Sequence, residues 1–408
     1  MRRRETGDAG PAWQAARTHG RNRFSGMRVK AAIDMHDAHL AHKLPLLKRR
    51  SDITEMILAD GLLLALTQTG VCVAFARHQG MRRLCYLNIA EDEIIRSLFH
   101  NKANRTIITV SVFRSDNYTS LKCRSTSIDS IEQGRPQDGR PVFDSESLRY
   151  PGFIEFDEVN SKVITFSADN SHYTIWELTN YTVLHDFCDH RINEVKVSLG
   201  IMLLIMQHTK SSLPLKLIDI ESGAELKSFQ HLLKRNRKID FVELFSEKLL
   251  VKQSGEPTMI IDIRNGSYVE IPHHEFLTPS AFIFLFENQL FLTFREGVIS
   301  AWNFRGQLVT RFEDHLLFNP DSHTSSIVIT RSQDTIISYC ANDRSTRGSI
   351  NVSSVFTGRL HGKISCSDSD GDVIRGAALD SVTSLCYCEE TSTIYTGNSN
   401  GMVYSWGH

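Results

Sequence analysis

The sequence predicts an all-β protein assembled from repeated four-stranded sheets, and three observations carry that prediction. The last stretch reads as three short strands, Ser384 to Tyr387, Ile394 to Thr396 and Met402 to Trp406, with turn chemistry in Gly397-Asn-Ser-Asn-Gly401. Residues Ile154 to Trp176 lie over this stretch without a gap, so that strands, turn and closing tryptophan coincide as an internal repeat. Similar units recur from Ile53 onward, and their second strands are near-continuous apolar runs such as Leu62-Leu-Leu-Ala-Leu66, the pattern of strands covered on both faces. A lone four-stranded sheet leaves two sticky faces and two open edges. Stacking such sheets radially buries the faces and shortens the edges, so the repeat predicts a closed β-propeller.

With strands lettered a to d, unit one comprises Glu55 to Leu58, Leu62 to Leu66, Val71 to Phe75 and Arg83 to Leu87, and Gly70 supplies the turn before c. Unit two runs Ile95 to Phe99, Thr106 to Val110 and Ser120 to Cys123. Its polar insert, Ser125 to Arg140, has loop composition and receives no element. Unit three is the tryptophan-ended match with Tyr181 to Asp186 as d. Units four to seven follow from Glu194, Phe241, Phe282 and Ser326, and the C-terminal stretch is unit eight. Unit eight lacks a strand d, and the alternating segment Arg28 to Asp34 is the candidate to complete its sheet. The expected organisation is a disordered basic tail over 1–27, a lead-in with a closing strand over 28–51, and the propeller over 52–408 with flexible inserts at about 125–145 and 365–380.

The chain carries 46 basic and 47 acidic residues, so no overall field recruits nucleic acid or an anionic membrane. Eight scattered cysteines without a CxxC pair read as reduced thiols of an intracellular protein, nuclear or cytoplasmic. The longest apolar run, Gly200 to Met206, is far short of the ~20 residues that span a bilayer. The arginine-rich start lacks the apolar core of a secretory signal. No nucleophile elbow, phosphate loop, dinucleotide fingerprint or zinc-protease helix is present. The expectation is therefore a non-enzyme without cofactor, metal or small-molecule substrate. The densest histidine and carboxylate cluster, His185-Asp-Phe-Cys-Asp-His190, alternates across a strand and reads as a polar connection between blades.

Trp176, Trp302 and Trp406 each close a strand c behind a polar turn, and Asp169 precedes the first of them in such a turn. At these positions the sequence resembles the WD40 (transducin-like) repeat family over about residues 53 to 408, with Glu, Asn and Gly following the three tryptophans. The resemblance implies a WD40-like β-propeller of four-stranded blades. Eight units are counted here, and seven, the family's usual number, is the alternative. It also implies a protein-protein interaction scaffold, in one form a substrate-recognition subunit of a larger complex.

In such a propeller the b–c turns and the connections from d to the next a emerge on one side. That side would gather Lys210, Lys234, Arg235, Arg237, Lys238, Arg295 and Arg344 as partner-binding residues, with Glu313, Asp314 and Asp368 to Asp372 further round the ring. Protein partners are the expected ligands. The alternative is a nucleic-acid or phosphate-binding propeller acting through the basic loop 234–238.

Overall fold

A computed structural model describes residues 24, 26–37, 39, 44–143, 152–168, 171–317, 326–342, 345–366 and 372–408. They form eight four-stranded antiparallel sheets, arranged as an eight-bladed β-propeller, which decides the blade count in favour of eight. Blades 1 to 7 span 53–86, 93–142, 152–188, 192–232, 239–271, 281–312 and 327–364, each with its strands in the order a-b-c-d. Blade 8 takes its a, b and c strands from Val382–Cys388, Thr393–Asn398 and Met402–Gly407. Its outer strand is Arg28–Asp34, which pairs antiparallel with Met402–Gly407 from Arg28 opposite Gly407 to Asp34 opposite Met402. Blade 8 thus joins the two ends of the chain. On the inner side Thr383 Oγ1 donates to the Ile53 carbonyl at 2.7 Å, tying blade 8 to blade 1.

The core lies between blades, where the apolar faces of neighbouring sheets meet. Strand Leu62–Thr67 of blade 1 is buried at all six positions, and one cluster joins Leu203, Leu215 and Leu217 of blade 4 to Val242, Leu249 and Val251 of blade 5. The three tryptophans share one bond. The indole N–H of Trp176, Trp302 and Trp406 donates to Thr165, Thr293 and Thr396 Oγ1 at 2.9, 3.2 and 3.0 Å, each threonine standing fourth in its strand b. The bond satisfies a donor that would otherwise be stranded in an apolar layer. Blade 7 carries serine at the same place, and there the buried His315 reaches Ser338 Oγ through Nδ1 at 2.6 Å and Ser353 Oγ through Nε2 at 2.8 Å.

Two expectations need correction. The polar insert of blade 2 is structured: strand c runs Lys122–Ser127, a short helix follows over Ile128–Glu132, and strand d is Arg140–Val142. Ser127 caps the helix by accepting from the Ser130 N–H at 3.1 Å, while Ile128 and Ile131 are fully buried. Two apolar residues three apart behind a serine suffice for one anchored turn. The second insert likewise holds a helix, Val373–Ala378, capped by Asp372. The tail boundary also moves, because Phe24 and Met27 are 6% and 1% exposed within the cluster of blades 7 and 8. Phe24 lies 5.8 Å from the Tyr387 ring and sits on Gly362, where a Cβ would come within 2.8 Å of its own.

Candidate partner-binding face

Antiparallel pairing throughout each blade puts the b–c turns and the d-to-a connections at the same end. The connection between blades 4 and 5, 233–238, is held there by the b–c side of blade 5. Gln253 accepts from the Lys234 N–H at 2.9 Å and donates to the Lys234 and Arg237 carbonyls, both at 3.1 Å. A side chain that satisfies three backbone groups fixes the loop's shape. Glu256, from the next turn, takes an ion pair from Lys234 and lies 3.6 Å from Arg237 Nε. The Lys234 hydrogen bond holds the Glu256 carboxyl below the usual carboxylate range.

The basic run therefore divides. Lys234 and Arg237 serve the loop itself, whereas Arg235 and Lys238 are exposed and make no ion pair among the described residues. Lys210 is exposed on the b–c turn of blade 4. Arg344 and the turn residue Asp169 lie outside the described residues, as does Asp368, while Glu313 and Asp314 are exposed beyond blade 6.

Next round the ring is a pocket of about 280 Å³ between the connection 272–280 and the facing side of blade 6. Its position depends on a lysine that sequence reading passed over. Lys252, fully buried in blade 5, donates from Nζ to the Glu256 and Phe276 carbonyls at 3.0 and 3.1 Å, with His273 Nδ1 at 3.4 Å. Burial lowers the Lys252 ammonium from its ordinary range. The Ser280 N–H donates to the Phe294 carbonyl at 2.8 Å and anchors the far end of the connection. Phe276 then meets Trp302 edge to face at 5.0 Å, and these two buried rings back the accessible apolar side of the pocket, Leu277, Pro279 and Val298. Arg295, Arg311, Ser300, Glu275 and Glu296 supply the polar side. Arg295 gives Nε and Nη2 to Glu296 at 3.2 and 3.0 Å, and its Nη1 is buried with no acceptor among the described residues. The sequence signal for this site was a lysine directly after the apolar run Leu249-Leu-Val251 in the strand Lys248–Gln253.

The inner strands a carry a second group of charges. Lys196 of blade 4 is 2.9 Å from Glu194 of its own strand and 2.9 Å from Glu243 of blade 5. Burial raises the carboxyls of Glu155 and Glu243 while Lys196 pulls both back. Glu55 of blade 1 is pushed by burial to about 7. The Lys196 group is internally paired and braces blades 4 and 5. His185 and His190 engage separate partners, the Ile220 carbonyl at 3.0 Å and Ser171 Oγ at 2.9 Å. No helix among the described residues is long and apolar enough to cross a membrane.

Comparison with known proteins adds the fold and a family. A computationally designed protein, Ika8, superposes with a TM-score of 0.53 at 16% identity, covering 88% of this chain and 97% of its own. BamB from Moraxella catarrhalis superposes with a TM-score of 0.46 at 12% identity, covering 94% and 98%. No curated protein matches the sequence. Residues 12–406 match a family described as a domain of unknown function (DUF7899), so the chain belongs to that family.

Proposed function

We propose that the protein is a non-catalytic scaffold, working inside the cell in the nucleus or cytoplasm, that holds protein partners on the turn face of blades 4 to 6. The observation that supports this reading is the face itself: a loop shaped by Gln253 and Glu256 presents Arg235 and Lys238 outward, beside a pocket walled by Phe276, Trp302 and Arg295. Preformed apolar anchors with charges around them are the usual composition of an energetically dominant patch. The Trp–Thr bonds in blades 3, 6 and 8 favour a WD40-type assignment. Pairing of Lys234 and Arg237 with Glu256 leaves about half of the basic run for a phosphate backbone, which weakens the nucleic-acid alternative.

The test is affinity capture with quantitative identification of partners, comparing wild type with Arg235→Glu/Lys238→Glu. Neither side chain holds the loop, so folding should be unchanged, and the main protein partner should be lost. Retention of every partner by a folded variant would move the binding site elsewhere. A complex that weakens steeply between low and physiological salt, along a log-log line, would favour nucleic acid instead.

A further inference from the structure

Building on that reading, we propose that the pocket between blades 5 and 6 receives one acidic residue of a partner polypeptide, with its carboxylate on the arginine wall and a neighbouring aliphatic side chain against Leu277 and Val298, above the buried Phe276 and Trp302. Size argues first. A volume of about 280 Å³ falls just below the ~300 to 1,000 Å³ of clefts that enclose whole cofactors and drug-sized ligands, and it suits a side chain or two.

Charge argues next. Glu296 occupies Nε and Nη2 of Arg295 but leaves Nη1 buried without an acceptor among the described residues, a costly state that an incoming oxygen would relieve. Arg311, paired through its backbone with Ser300 in the neighbouring strand, lines the same pocket and makes no ion pair among the described residues. The two guanidinium groups thus retain hydrogen-bonding capacity for a carboxylate, while Glu296 is engaged by Arg295 and Glu275, the other carboxylate of the lining, has His274 Nε2 at 3.7 Å. Rigidity completes the argument. Trp302 is fixed by Thr293, and Phe276 by the bond from Lys252 to its carbonyl, so little side-chain ordering is left to oppose binding.

The test uses full-length protein labelled with 5-fluorotryptophan. Its four tryptophans give separate fluorine resonances, and Trp302 is assigned from Trp302→Phe. The probes are the capped tripeptides acetyl-Leu-Glu-Leu-amide and its Gln, Lys and phosphoserine counterparts. The Glu peptide should shift the Trp302 resonance saturably and leave those of Trp176 and Trp406 in place. The Gln peptide should bind at least about tenfold more weakly, because it lacks the charge-assisted bonds. Arg311→Gln and Arg295→Gln should each weaken the Glu peptide to a similar degree while the protein's unfolding curve stays unchanged.

Equal binding of Glu and Gln peptides, preference for Lys, or no shift at Trp302 would overturn the assignment. Binding of the phosphoserine peptide about tenfold tighter than Glu would replace the acidic residue by a phosphorylated one. These outcomes need no cellular partner. Failure here leaves the capture experiment on Arg235 and Lys238 standing, and failure there leaves this one standing.

Discussion

Closure of the ring through Arg28–Asp34 can be measured by three N-terminal truncations that begin at residues 23, 27 and 35. The first keeps Phe24, the second removes it but keeps Met27, and the third removes the whole outer strand of blade 8. Phe24 is 6% exposed, and emptying the site of a buried phenylalanine costs about 3 to 5 kcal/mol. Unfolding entropy near 2.1 cal/mol/K per residue comes to roughly 0.9 kcal/mol/K over the 408 residues, so the second truncation should melt about 4 to 6 °C below the first if the ring unfolds as one unit. The third truncation also loses Met27, 1% exposed, and the ladder along Met402–Gly407. It should fall by a further several degrees at least, and the bared edge should promote self-association.

Thermal unfolding followed by circular dichroism, with size-exclusion chromatography of each sample, reads both effects. Two single variants separate burial from chain length. Phe24→Ala should reproduce the second truncation. Gly362→Ala should do so as well, since its Cβ would come within 2.8 Å of the Phe24 Cβ and displace the ring. A truncation at residue 35 that stays monomeric and melts with the full-length chain would refute the closing role of this strand.

The remaining expectations concern buried polar groups. Thr293→Val leaves the Trp302 indole N–H without its 3.2 Å acceptor and should cost about 1 to 3 kcal/mol in urea unfolding. The same change in a Trp302→Phe background should cost much less, and equal costs would dismiss the bond. Burial raises Glu55 from 4.5 to about 7, a penalty absent below pH 4.5 and fully present above 7. Glu55→Gln should therefore stabilise the protein at pH 8 by up to roughly 3 kcal/mol and leave it unchanged near pH 4; parallel stability-versus-pH curves would contradict this. His315 runs the other way, with burial lowering its imidazole from 6.5 to about 4. The unfolded chain takes up that proton first, so stability is lost as pH falls from 6.5 toward 4. Ring resonances of His315 that titrate near pH 6.5 in the folded protein would exclude the assignment.

Much of the architecture was legible from local signals. Strand period, turn residues and the tryptophans at 176, 302 and 406 are properties of segments about 25 residues long, so one repeat could be laid over another and the rest counted. The turn face was legible too, because antiparallel connectivity alone sends b–c turns and d-to-a connections to one end. Charge pairing was not. Lys234 and Arg237 look identical in sequence to Arg235 and Lys238, and only folding brings Glu256 against the first two.

The pocket follows the same rule, since it joins the connection after blade 5 to three strands of blade 6 and rests on Lys252, whose partners lie in two other segments. Phe24 reads as part of a basic tail until Gly362 offers it a seat. Secondary structure and repeat are written in the spacing of neighbours along the chain. Burial and ion pairing depend on which distant segments the closed ring sets side by side, and that is decided by tertiary packing.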